Sequence, residues 1–206
     1  FAAERADSLF DQRHRFVFSG VMTSPDSWRK GSTWQKVFSN FTIAPIIELS
    51  SGKPFNIITN VDANNDQSNQ TDRPDVRADG SLCTPTAPAT GPGSVPIGSP
   101  CSLFDLNAAG QLVFGTGSLG RNMGKTHPFA SVDLRLSRAF TWGERFRLDI
   151  IAEGFNLFNR FNEGSASPFF TDVSARNERS SNGRYFSRST AAYDSRQFQF
   201  GAKFSF

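Results

Sequence analysis

Alternating hydrophobic and polar residues mark the last stretch of the chain, residues 195–206. One face of an extended strand here carries Phe198, Phe200, Ala202, Phe204 and Phe206, and the other carries Gln197, Gln199, Gly201, Lys203 and Ser205. Successive side chains of a β-strand point to opposite faces, so this stretch predicts a strand with one apolar and one polar face.

A second alternating region predicts a hairpin. Residues 129–140 and 145–155 alternate as strands, and residues 141–144 between them form a tight turn. Val132, Leu134, Leu136, Phe146, Leu148, Ile150 and Ala152 fall on the apolar faces. The polar faces of these strands and of the terminal strand carry the charged residues Asp133, Arg135, Arg147, Asp149, Glu153 and Lys203.

Alternation is weaker in the first quarter of the chain. Residues 13–23 predict a strand with Phe16, Phe18 and Met22 on one face, and residues 24–33 predict a turn. Residues 34–61 then form a long extended stretch interrupted at Gly52. We favour a bulged single strand there, which gives five strands; a tight turn at Gly52 would give six.

The charged faces distinguish two folds. In the dry core of a soluble β-sandwich these charges would be costly, whereas a hydrated interior accommodates them. The strands are also about as long as tilted membrane strands, roughly 9–11 residues. We therefore expect an all-β fold, an antiparallel transmembrane β-barrel segment of about five long strands. A soluble β-sandwich binding module remains an alternative, since a half-exposed antiparallel sheet also tolerates such charges.

Connections between the predicted strands alternate in length. Residues 24–33 and 141–144 are short, whereas residues 62–128 and 156–194 are long and rich in polar residues. Outer-membrane barrels have short periplasmic turns and long external loops. We expect the two long segments to be extracellular, with Trp28, Trp34 and Trp142 in an interfacial aromatic belt at the short turns.

Composition alone favours a Phe-rich soluble core, and the alternation along the strands reverses that preference. Hydrophobic residues make up 37% of the chain, mean hydropathy is −0.38, and no apolar run is long enough for a transmembrane helix. The net charge of +3 comes from interleaved acidic and basic residues, so nucleic acid is not an expected partner. The chain has no leader segment and no initiator Met, which suggests a mature fragment or the tail of a longer protein.

Candidate chemistry is sparse. Cys83 and Cys101 lie in one Pro- and Gly-rich segment and predict a disulfide formed in an oxidising compartment, with two free thiols as the alternative. Asp62, Asn64 and Asp66 have the spacing of calcium ligands, but Gln67 replaces the required Gly and no Glu closes the loop, so we expect a solvated loop and no metal. His14 and His127 lack a catalytic context, and we expect no enzymatic activity and no cofactor.

Several short motifs, in this order, resemble the carboxyl-terminal end of TonB-dependent outer-membrane receptors of the Oar-like group, whose members often carry an amino-terminal carboxypeptidase-regulatory-like domain. They are Asp11-Gln12-Arg13-His14-Arg15-Phe16, Ser51-Gly52-Lys53-Pro54-Phe55, Asp72-Arg73-Pro74, Gly120-Arg121-Asn122, Val132-Asp133-Leu134-Arg135-Leu136-Ser137-Arg138 and Phe155-Asn156-Leu157-Phe158-Asn159. The resemblance covers nearly the whole chain from Asp11 onward.

The resemblance implies a barrel of about 22 strands with an internal plug in a Gram-negative outer membrane. Because about eight strands are needed to close a barrel, five strands imply a segment of that larger barrel. The implied partners are outer-membrane lipid, the rest of the barrel and its plug, the barrel-assembly machinery, TonB through an amino-terminal part, and an unknown extracellular substrate. Phe198, Phe200, Phe204 and Phe206 would form the barrel-assembly signal. A structural or adhesive barrel protein without transport is the alternative.

Overall fold

The computed structural model describes residues 4–84, 86, 95–115, 117–143, 145–173 and 183–206. The chain divides into two compact units. The loop unit comprises Phe1–Gln12, Gly52–His127 and Glu163–Ala191. The sheet unit comprises Arg13–Ser51, Pro128–Asn162 and Ala192–Phe206.

Strands make up nearly all of the regular secondary structure of the described residues. Their strands are β1 Arg15–Ser19, β2 Met22–Thr23, β3 Phe41–Ser50, β4 Pro54–Phe55, β5 Asp75–Val76, β6 Leu82–Cys83, β7 Phe104–Leu106, β8 Leu112–Phe114, β9 Gly124–Lys125, β10 Phe129–Trp142, β11 Phe146–Phe155, β12 Glu163–Ala166, β13 Ser189–Ala192 and β14 Gln197–Ser205. One short α-helix, α1, spans Thr33–Val37, and 3-10 turns span Asp26–Lys30 and Phe170–Asp172.

The sheet unit contains one antiparallel sheet with the strand order β1-β3-β10-β11-β14, and β2 also pairs with β3. Because β1 and β2 lie end to end along β3, the sheet is five strands wide, which matches the predicted strand count. The hairpin of β10 and β11 is confirmed, pairing from Leu134↔Gly154 to Trp142↔Phe146. Glu144 of the predicted turn lies outside the described residues.

The predicted strand over residues 13–23 is interrupted, and Pro45 explains why. Its partner in register is Gly20, which lies between β1 and β2. The Gly20 N–H donates to the Pro45 carbonyl at 3.2 Å, but proline has no N–H to donate in return. The pairing of β1 and β2 with β3 keeps one register across this gap, so the strand loses one ladder bond without a shift of its side chains.

The prediction of an extended chain is wrong for residues 34–40. Residues 33–37 form α1, whose N-cap Ser32 and third helical residue Gln35 make reciprocal side-chain-to-backbone bonds, a capping box. The strand begins only at Phe41, after Asn40 turns the chain with a positive φ of 53°.

Gly52 is neither a bulge within one strand nor a tight hairpin turn, so both predictions are wrong. β3 ends at Ser50, and the chain enters the loop unit, where β4 pairs with β9. A Cβ at Gly52 would lie 1.7 Å from the Thr126 carbonyl oxygen. Glycine therefore permits a backbone approach that no other residue allows.

The long connections are more ordered than the sequence predicts. In the loop unit, β4 pairs with β9, β5 with β6, and β7 with β8. The buried side chains of Ile57, Leu119 and Tyr185 form its core, against which further apolar residues pack. Within the first of these connections, residues 104–114 form the β7–β8 hairpin.

No helix in the described part of the chain combines the length and hydrophobicity that a membrane-spanning helix needs.

Candidate functional site on the faces of the sheet

Strand register gives the sheet one apolar face. Rows of side chains such as Phe18, Ile47 and Val132, or Ile43, Leu136, Ala152 and Phe200, run across neighbouring strands on this face. The apolar residues of β14 are strongly exposed: Phe198 is 59%, Phe200 82% and Phe204 55% accessible. Among the described residues, no second sheet covers them, as a soluble sandwich would require.

Hydrophobic burial is confined to the loop unit. The buried apolar residues of the described chain are Ile57, Ile58, Ala63, Cys83, Cys101, Leu119 and Tyr185, and all of them lie there. The described residues of the sheet unit contribute none, although the sheet is rich in Phe, Ile and Leu. Exposed apolar area of this extent marks a surface that contacts a partner or a membrane.

The opposite face holds a cross-strand row of charged and polar groups. Arg135, Glu153 and Gln199 lie directly opposite one another on β10, β11 and β14. Arg135 Nη1 lies 3.2 Å from Glu153 Oε1, and Gln199 Nε2 donates to Glu153 Oε2 at 2.6 Å. Each oxygen of the carboxylate therefore has its own partner, and the row links three strands.

Three other predicted charges lie near this row on the same face. Arg147 binds Asp149 two residues along β11, with Nη2 2.9 Å from Oδ1. Lys203 lies opposite Asp149 in register but forms no ion pair within 4.0 Å with any described residue. Asp149 therefore pairs along its own strand, and Lys203 points its charge onto the polar face.

Asp133, by contrast, organises a strand end. Its Oδ1 accepts hydrogen bonds from the Ser131 hydroxyl at 2.9 Å and from the Asn156 N–H at 2.8 Å. Asn156, which follows β11, is buried and has a positive φ of 47°. Its amide donates to the carbonyls of Arg160 and Asp194 at 2.9 and 3.2 Å, so it joins the end of β11 to the approach of β14. The Phe155–Asn159 motif therefore connects the ends of β10, β11 and β14 through the hydrogen bonds of Asn156.

A shallow cavity of about 340 Å³ opens at this strand end. Phe129 and Tyr193 meet edge to face in its wall, with ring centroids 5.1 Å apart, and Asp133 and Asp194 add carboxylates. Sequence reasoning missed Phe129 and Tyr193 as cavity residues. The one available signal was the alternation along β10, which puts Phe129 on the polar face with Ser131 and Asp133.

The loop unit is held by buried polar groups as well as by its core. Cys83 and Cys101 form a disulfide with a Cα–Cα distance of 5.7 Å. The buried Asp75 carboxylate accepts hydrogen bonds from the N–H groups of Cys101 at 2.9 Å and Ser118 at 2.7 Å. One carboxylate thus connects the disulfide to a distant part of the same loop.

Asp172 forms a second anchor in the loop unit. Its Oδ2 accepts a hydrogen bond from the Ser167 hydroxyl at 2.6 Å and lies 3.2 Å from Arg188 Nη2. The Ser167 hydrogen bond is the main reason that the pKa of Asp172 falls below its ordinary value, and the positive charge of Arg188 adds to the effect.

The candidate calcium ligands form a self-contained turn. Asp62 accepts hydrogen bonds from the N–H groups of Asp66 at 3.1 Å and Gln67 at 2.9 Å, and Asn64 accepts one from Asp66 at 2.9 Å. Within the described residues, no group of three or more His, Cys, Asp or Glu side chains could hold a metal ion.

The two histidines occupy different units. His14 lies at the start of β1, where its backbone pairs with Ser51. His127 stacks on Phe186 with ring centroids 4.5 Å apart, and its Nδ1 lies 3.2 Å from the buried Glu163. The Glu163 carboxylate also accepts the His127 N–H at 2.7 Å, which is a structural contact between two segments of the loop unit.

Comparison with known proteins adds one match. A family model described as an outer membrane beta barrel domain matches residues 1–199. The comparisons found no matching curated protein and no matching solved structure.

Proposed function

This chain belongs to the outer membrane beta barrel domain family, which places it in the outer membrane of a Gram-negative bacterium, and from that premise we propose that it forms wall and external loops of a TonB-dependent receptor. In the full-length receptor, external loops would capture a substrate and the barrel would pass it inward. The chain's own part would be structural and recognitive, not enzymatic.

The observation that carries this proposal is the absence of a hydrophobic core among the described residues of the sheet unit. In water, a sheet five strands wide with this exposed apolar face would associate or aggregate. In a bilayer the same face contacts lipid chains, and the alternate residues face a hydrated interior. The Arg135–Glu153–Gln199 row fits such an interior, since its charges keep contact with water.

The sheet edges support a larger assembly. β1 with β2 forms one edge and β14 the other, and each has a single neighbour among the described strands. Unpaired backbone groups in hydrocarbon cost several kcal/mol each. We therefore propose that further strands of the barrel pair with both edges, that a plug fills the interior, and that the barrel-assembly machinery engages β14 through its Phe-rich face.

Energy-coupled uptake is testable in cells. Full-length receptor would be expressed in a strain that lacks its own receptors, with or without a functional TonB protein. A panel of labelled siderophores, peptides and oligosaccharides would then be offered. We expect one class to accumulate inside the cells only when TonB is active. Failure of every class to accumulate while the protein is assembled in the outer membrane would refute transport.

A structural or adhesive barrel is the second candidate, and the loop unit favours it. A disulfide, a buried core and buried Asp75 give that unit its own stability, as an exposed binding surface requires. Adhesion would give cell-surface binding or cell aggregation that is independent of TonB. The same pair of strains distinguishes the two candidates, because adhesion survives loss of TonB and uptake does not.

A further inference from the structure

One charged side chain lies on the apolar face of the described strands. Arg138 of β10 lies opposite Phe41 and Ile150 in the strand register, in line with Leu134 and Leu136 on its own strand. A cation on a lipid-facing surface is costly near the middle of the bilayer and tolerable near its interface. Arg138 lies level with the first residue of β3, toward the short connections.

The contacts of Arg138 with described residues give its charge no counter-ion. Nη2 donates to the Lys36 carbonyl in α1 at 3.0 Å, and the guanidinium lies 4.8 Å from the Phe140 ring centroid. Nε is buried and has no hydrogen-bond partner. No described carboxylate lies within 4.0 Å of its guanidinium nitrogens. The side chain is therefore held by its stem, its ring contact and one carbonyl.

The neighbouring short connections are rich in further cations. Residues 24–42 and 138–147, which cover these connections and the adjoining strand ends, contain five Lys or Arg residues besides Arg138, and two acidic residues. One of the five, Arg147, binds Asp149. Lys30, Lys36 and Arg145 form no ion pair within 4.0 Å with any described residue, and Arg29 approaches Asp26 only to 3.6 Å. Within the described residues, this end of the sheet unit thus carries four cations without an ion pair, Arg138, Lys30, Lys36 and Arg145.

Exposed aromatic rings accompany these cations. Trp34 is 75% and Trp142 53% accessible, and Trp34 stacks on Phe38. Tryptophan with arginine or lysine is typical of the boundary between hydrocarbon and headgroups. At that depth an arginine stem can lie along lipid chains while its head reaches the phosphate layer.

We propose that Arg138 and Lys36 form a binding site for the phosphate of an anionic phospholipid in the periplasmic leaflet. The inference rests on the proposed membrane orientation, in which the short connections face the periplasm. The guanidinium presents N–H donors in the geometry that phosphate oxygens accept, and the excess of positive charge favours a lipid with net negative charge. The apolar face beside Arg138 accommodates the acyl chains.

The test compares lipids retained by the membrane-assembled receptor. The receptor would be purified from vesicles with equal amounts of phosphatidylglycerol and phosphatidylcholine, and bound lipids counted by native mass spectrometry. Wild type should retain phosphatidylglycerol about fivefold over phosphatidylcholine. Arg138→Gln should lose that preference. Arg135→Gln is the matched control, because it removes an arginine from the same strand but the opposite face, and it should keep the preference.

Three results would overturn the proposal: equal retention of both lipids by wild type, an undiminished preference in Arg138→Gln, or displacement of the lipid by inorganic phosphate. If Arg138→Gln fails to assemble, Lys36→Gln in α1, outside the sheet, tests the same site and should weaken the preference. Failure of the proposed function is recognised separately, since the uptake assay would then show no TonB-dependent accumulation although wild type is present in the outer membrane, and the lipid preference does not depend on transport.

Discussion

Ile46 and Ile47 offer a direct test of the two faces of the sheet. They are adjacent residues of the same type near the middle of β3. The register puts Ile47 between Phe18 and Val132 on the apolar face, and Ile46 between Ser19 and Asp133 on the polar face. Changing each to arginine therefore introduces the same charge at the same depth into two different environments.

The expected cost differs by several kcal/mol. Arginine on the lipid face of a barrel destabilises it by about 2–4 kcal/mol near the bilayer midplane. That corresponds to a loss of about 30- to 700-fold in the folding equilibrium constant. Ile46→Arg should be close to neutral, because Ile46 is already 48% exposed and the Asp133 carboxylate lies on the neighbouring strand.

The assay is reversible unfolding of the receptor in phosphatidylcholine vesicles, followed by tryptophan fluorescence across a urea series. Wild type, Ile46→Arg and Ile47→Arg would be compared at one lipid-to-protein ratio. Membrane assembly in cells gives a second readout through resistance of the folded barrel to unfolding by detergent on a gel. Equal losses in the two variants, or no loss in either, would refute the assignment of the faces.

The remaining predictions concern the loop unit. Replacing Cys83 and Cys101 with Ser should lower its unfolding free energy by about 3 kcal/mol, seen as faster proteolysis of residues 52–127 with barrel assembly unchanged; unchanged proteolysis would contradict a stabilising role. Because the folded-state pKa of Asp172 is depressed, its stabilisation is present above the ordinary value of 3.8 and is lost as the pH falls through the lower folded value. Protection of the amides of residues 163–173 against hydrogen exchange, measured relative to their intrinsic exchange rates, should therefore decrease below about pH 4. Asp172→Asn should remove that pH dependence, and an equal dependence in Asp172→Asn would exclude this group. Gly52→Ala should disrupt the start of the loop unit, since the added methyl would lie 1.7 Å from a backbone carbonyl oxygen, whereas Gly120→Ala, whose Cβ would come no closer than 3.4 Å to the flexible Met123 side chain, is the control; equal proteolysis of the two variants would contradict the close approach.

Errors in the sequence analysis arose where alternation ended. Trp34 and Val37 were assigned to a strand, although Ser32 and Gln35 carry the spacing of a capping box and signal the start of a helix. The signal was present, but a five-residue helix is too short to establish a helical period. The sequence does not show the bond from Asn156 to the approach of β14, because its acceptor on Asp194 lies 38 residues away along the chain.

In the loop unit, even more of the structure depends on residues that are far apart in sequence. Its buried residues Ile57, Leu119 and Tyr185 come from distant parts of the chain, so no local period marks them as a core. Asp75 looked like any loop carboxylate, yet it accepts N–H groups 26 and 43 residues away. Only the Cys83–Cys101 pair could be proposed in advance, since two cysteines allow one bridge.

The sequence by itself determined which side chains share a face in β10, β11 and β14, because alternation depends only on the extended geometry of the local backbone. Tertiary structure alone decided that β3 pairs with β10, although residues 51–128 separate them in the chain, and that Phe129 lies beside Tyr193. Such pairings depend on contacts between residues far apart in the chain, whose loop-closure cost and mutual packing leave no mark on the pattern of either segment.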